Sequence, residues 1–173
     1  MSLGFLTWAA GELGAGVYKT QKQALAEAFP GGFEQRTVFL TDAQVQEVEK
    51  RARAKVESKI ITFYTGRDAD GNAAGAAYFD THIVRTTTET VLVVLNPEGA
   101  IRRVEILAFY EPEDYKVRQG WLDRMEDKDS DDEMAVGRDL VRVTGATLTV
   151  QALAATVRWV LALNAILPGV SKS

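Results

Sequence analysis

Polar and apolar positions recur with two different periods along this chain, and the change of period divides it. Two stretches, residues 19–32 and 40–56, carry a helical spacing. In "KTQKQALAEAFPGG", Thr20 with Gln23 has the spacing of a capping box, and Pro30 with Gly31 and Gly32 ends the run. "LTDAQVQEVEKRARAKV" repeats the device with Thr41 and Gln44. Val45, Val48, Ala52 and Val56 then share one face while charges take the other. This predicts an amphipathic helix on the outside of a sheet.

The middle of the chain reads as strands. "KIITFYT" and "GAAYFD" are apolar runs separated by "GRDADGNAA", which predicts a hairpin with a longer loop; Asp68 to Asn72 is its turn. "ETVLVVLN" is apolar on both faces, as a central strand is. "IRRVEILAFYE" sets Val104 and Ile106 inward against Arg103 and Glu105, then becomes apolar throughout and closes at Pro112. Four strands with short connections imply an antiparallel sheet. "YKVRQGWLDRM" suits a short helical segment and "EDKDSDDEMAVGRD" an acidic loop.

Near the end of the chain Val150, Leu153, Ala154, Val157, Val160, Leu161 and Asn164 fall on one helical face. Arg158 interrupts this run, and an arginine at a bilayer centre costs about 2.5–3.5 kcal/mol. A core helix is predicted, with no membrane span in this chain. The expected fold is a single α+β domain, an antiparallel sheet packed by helices, with a C-terminal helix following the turn Thr144–Thr147. Residues 17–173 form that domain. Residues 1–16 read either as the remnant of a signal or anchor segment or as a plain N-terminal helix or tail.

Composition narrows the chemistry. A chain of 173 residues, 46% hydrophobic and 25% charged, suits one core. The net charge is −4 with both signs interleaved, which argues against nucleic acid or an anionic membrane as partner. There is no cysteine, so disulfides and thiolate metal sites are excluded. His82 is the single histidine. No metal site is expected, and a hydrolase hinging on His82 lacks a nucleophile motif.

The informative stretch is "VRVTGATLTVQALAATVRWVLALNAI". A small, hydroxyl-bearing turn precedes the most apolar helix. A helix start offers unpaired amides and a partial positive charge, which together favour a phosphate. Gly145 and Ala146 let a phosphate approach the backbone, Thr147 puts a hydroxyl beside it, and Thr144 and Thr149 flank it. The plainer alternative is that Thr147 or Thr149 is only a helix cap.

"TGAT" followed by "LT" and an apolar helix resembles the flavinylation motif of the FMN-binding domain family. That family includes the covalently flavinylated subunits of the sodium-pumping NADH:quinone oxidoreductase and of the Rnf electron-transport complex, and their soluble relatives. The resemblance implies FMN in phosphoester linkage to Thr147, with Thr144, Gly145 and Ala146 completing the recognised turn. It implies a separate Mg-dependent flavin transferase that uses FAD. It also implies electron transfer rather than stand-alone turnover, a redox protein or membrane electron-transport complex as partner, and a periplasmic or other extracytoplasmic, membrane-associated location. "ETVLVVLNPEGAIRRVEILAFYEPEDY" is similar to the family's hairpin and loop, which brings Glu111 and Tyr115 toward the flavin. The likeness runs over about residues 75 to 165. It departs at Val141, where the family often has an acidic residue; Asp139 lies two positions earlier. That departure supports an alternative, a non-enzymatic envelope binding or assembly module of the same fold that carries no flavin.

Other residues admit two readings. His82, Arg85 and Glu89 form either a polar cluster near the flavin or its partner, or ordinary strand-edge charge. Phe109, Tyr110, Tyr115 and Trp121 supply either a face for the flavin ring or core. The aspartates from Asp127 resemble the start of a calcium loop, but the required glycine and glutamate positions hold Asp132 and Arg138. A solvated acidic loop, or a docking surface for a basic redox partner, fits better.

Overall fold

Both capping boxes form. In the computed structural model, which describes residues 16–167, the Thr20 side chain accepts from the Gln23 amide and Gln23 reaches back to the Thr20 amide; Thr41 and Gln44 do the same. They open α1 (Gln21–Ala28) and α2 (Asp42–Ala52). Arg53 ends α2 in the left-handed region at φ 55°.

Among the described residues six strands form one antiparallel sheet: β1 (Gly16–Val17), β2 (Phe33–Phe39), β3 (Ile60–Arg67), β4 (Ala73–Ile83), β5 (Thr88–Leu95) and β6 (Ile101–Phe109). Their order is β1-β6-β5-β4-β3-β2. The last four strands are those expected. β1 and β2 are additions at the two edges, and Gly16 already pairs with Phe109. Residues 1–15, and with them most of the N-terminal signal or anchor reading, lie outside the described residues. After β6 the chain makes a 3-10 turn at Glu113–Tyr115, the short α3 (Gln119–Leu122) and a second 3-10 turn at Asp123–Met125. The acidic stretch that follows is a loop, and α4 (Thr147–Ile166) closes the fold.

The sheet is buried on both faces, which is why β5 is apolar at every inner position. Val91, Val93 and Leu95 meet Val104, Ile106 and the whole predicted face of α4, with Val48 and Ala52 of α2 against α4. Leu92, Val94 and Leu107 meet Leu25, Ala28 and Phe29 on the opposite side. Gly66 is needed where Phe29 lies on the sheet: a Cβ there would sit 1.9 Å from the ring. α4 is long and apolar enough to cross a membrane by length and composition, and most of it is buried against α2 and the sheet. Its Arg158 donates to Ala52 O (3.3 Å) and Met134 O (3.2 Å), so the guanidinium ties α4 to the end of α2 and to the loop before the motif.

Candidate functional site

Thr147 is the first residue of α4 and is exposed. Ala146 flanks the helix at φ −112° and ψ 27°, and no side chain caps it. Neither Thr147 nor Thr149 therefore acts as the cap that the plainer reading required. The first backbone bond of the helix runs from Val150 N to Ala146 O (3.0 Å). The amides of Thr147, Leu148 and Thr149 precede it and have no acceptor within the helix. Thr144 and Gly145 are exposed, whereas Ala146 turns into the core. Gly145 has φ 88°, a left-handed conformation in which glycine is unstrained. Its open side faces the carbonyl oxygen of Asp114, 3.9 Å from where a Cβ would stand. The motif turn thus lies beside the loop that follows β6.

That loop is fixed by one carboxylate. Glu111 is 3% exposed and accepts from the amides of Arg85 (3.1 Å), Thr86 (2.6 Å) and Thr87 (2.9 Å). The Thr86 and Thr87 amides, against the opposing effect of burial, hold its carboxyl far below the ordinary range, at about 2. Glu111 thereby staples the β4–β5 turn to the end of β6. From that turn the Arg85 guanidinium lies over the Tyr115 ring, 4.4 Å from its centroid. The Tyr115 carbonyl accepts from the Thr149 hydroxyl at 2.6 Å.

The expected residues therefore come together but divide by role. Thr144, Gly145 and Thr147 form the open turn. Glu111, Tyr115 and Thr149 form the scaffold behind it. Thr149 is 1% exposed and its hydroxyl is already used, so it positions the helix start. Val141 and Leu148 are exposed apolar side chains on either side of the turn in sequence, and Tyr110 is exposed at the end of β6.

Compared with protein-family models, curated proteins and solved structures, the chain finds no significant match.

The second cluster differs from its expectation. His82 and Glu89 face each other across β4 and β5, inside the sheet rather than at an edge. His82 Nδ1 contacts Asp80 Oδ2 at 2.9 Å and Nε2 contacts Glu89 Oε2 at 3.0 Å. The Thr156 hydroxyl of α4 donates to Asp80. Arg85 belongs elsewhere, on Tyr115. Burial works against the imidazolium, yet the hydrogen bonds it donates to Asp80 and Glu89 carry His82 up to about 9. Burial also pushes the Glu89 carboxyl upward, with His82 opposing it. Asp80 stays below its ordinary value: burial raises it, but hydrogen bonds from His82 and Thr156 outweigh that. Sequence reading missed Asp80 and Thr156. The available signal was Asp80 and His82 spaced by two on an otherwise core-facing side of a strand.

The remaining candidates resolve simply. Phe109 and Trp121 are core, and Trp121 Nε1 donates to Val141 O at 2.8 Å. Asp139 Oδ2 accepts from Ala135 N at 2.9 Å, within its own loop. Asp129 and Asp132 bond backbone amides of the acidic loop. Among the described residues no group of three or more acidic or histidine side chains is placed for a metal. A cavity of about 140 Å³ lies between Arg53, Arg158, Glu133 and Leu161. Leu161 is about 21 Å along α4 from Thr147, so this cavity is separate from the motif turn.

Proposed function

We propose that this chain is an electron-transfer flavoprotein domain carrying FMN in phosphoester linkage to Thr147. The observation behind it is the exposed Thr147 hydroxyl at an uncapped start of a 20-residue helix, held by a buried scaffold. The donor set fits the phosphate end of the group. Free amides and the helix dipole favour its negative charge, and the exposed, left-handed Gly145 leaves the backbone approachable. Exposed Leu148 and Val141, on either side of the turn in sequence, offer apolar surface to a flat ring.

In the attachment, the Thr147 Oγ1–P bond forms as the P–O bond joining the FMN and AMP halves of FAD breaks. AMP leaves and the hydroxyl proton passes to solvent or to the transferase. Bound FMN supplies one- and two-electron redox chemistry of its own. The chain's residues hold and orient. Glu111 fixes the Arg85 turn, Arg85 lies on Tyr115, and Thr149 locks the first turn of α4 to that loop. A tether of this kind replaces affinity with high effective concentration, which suits an extracytoplasmic compartment poor in free flavin. The partners are then a flavin transferase and a redox protein or membrane electron-transport complex.

The test is co-expression with a flavin transferase in an exported form, followed by unfolding and desalting. Wild type is expected to retain yellow absorbance through that treatment. Thr147→Ala is expected to be colourless with unchanged circular dichroism. Flavin retained by Thr147→Ala would overturn the assignment of the attachment residue. Colourless wild type, in a cell where a known substrate of the transferase becomes yellow, would favour the flavin-free module.

A further inference from the structure

We propose that the outer edge of β2 is a self-pairing surface through which two copies of this chain join their sheets, in one register centred on Gln35. The sheet ends at β2, and among the described residues nothing pairs with its outer side. β2 carries no lysine, proline or bulge of the kind that guards an edge.

The hydrogen bonds already made decide what that edge offers. Leu40 N donates to Lys59 O (2.8 Å) and Arg67 N to Gly32 O (2.9 Å). With the β2–β3 register, these turn the even-numbered residues toward β3. The amides and carbonyls of Phe33, Gln35, Thr37 and Phe39 are left on the outer side. An antiparallel second copy must pair odd residues with odd.

Charge selects among the registers that satisfy this. Centred on Glu34 or on Arg36, like charges would face each other. Centred on Thr37, Arg36 would face Val38 and Glu34 would face Leu40. Centred on Gln35, Glu34 faces Arg36 of the partner subunit, and symmetry makes this happen twice. These are the non-hydrogen-bonded positions, where facing side chains approach most closely. Both side chains are exposed, at 72% for Glu34 and 57% for Arg36, and their only ion-pair partners among the described residues are each other, within the strand. In the same register Phe39, 73% exposed, lies diagonal to Phe33 of the partner subunit, within aromatic reach. The proposal does not depend on flavin.

The test is sedimentation velocity of the full chain over a concentration series, for wild type, Glu34→Arg, Arg36→Glu and the double swap. Wild type is expected to dimerise reversibly. Each single reversal places like charges opposite twice and is expected to weaken the dimer about tenfold or more. The double swap is expected to restore wild-type affinity, and all four proteins should share one melting temperature at a concentration where each is monomeric. A monomer at every concentration would overturn the proposal. So would a dimer indifferent to the single reversals, or a double swap that fails to recover.

Discussion

Two polar groups meet α4, one at its first turn and one in its middle, and they are built in opposite ways. Around Thr156 the polar groups turn inward: His82 bridges half-buried Asp80 and buried Glu89 between helix and sheet. Around Thr147 the polar groups face outward, and the bonded ones stand one layer behind. The same residue type thus serves three ends on one helix. Thr156 bonds a half-buried carboxylate, Thr149 ties a loop, and Thr147 is left unspent. A hydroxyl that a fold leaves unused beside open amides is the better candidate for chemistry, because using it disrupts nothing.

The closed cluster should respond most to disruption. His82→Ala leaves Glu89, 0% exposed, without its partner, and is expected to cost about 3 kcal/mol in urea unfolding. The pH dependence follows from the same contacts. The folded value of His82, about 9, lies above its ordinary 6.5, so the folded state prefers the imidazolium. Its contribution is complete below the ordinary value and fades as pH rises through 9, about 3 kcal/mol in total. Asp80, held below its ordinary value, is already ionised and stays constant across this window. Stability measured between these limits should fall more steeply in wild type than in His82→Ala.

The open site should respond less. Thr149→Val removes one buried hydroxyl and strands the Tyr115 carbonyl, for an expected loss of about 1 kcal/mol. If Thr149 positions the helix start, flavin loading should also slow. Thr147→Ala is expected to change stability by less than about 0.5 kcal/mol while abolishing attachment. An equal effect at both ends of the helix would erase the contrast.

The fold was legible wherever a period was strong. The capping boxes, the four inner strands and the buried face of α4 stand where spacing put them. β2 was not legible, because "FEQRTVF" lies on an edge where little is buried and its polar residues mask the alternation. The convergence of the Glu111–Tyr115 loop with the motif turn had support only from resemblance. The geometry adds its physical cause: one carboxylate capturing three amides and one threonine reaching a carbonyl. Edge charge is one of the two readings that His82, Arg85 and Glu89 admit, because a sequence does not reveal which strands are central until β1, β2 and their pairing are known. The His82 partner Thr156 is 74 residues away, beyond any local signal.

The most direct measurement is peptide-mapped mass spectrometry of the chain after co-expression with a flavin transferase. The account predicts an added mass of one FMN less one water, confined to the peptide containing Thr147. Full-length protein with that peptide unmodified, from cells in which a control substrate is fully loaded, would contradict it.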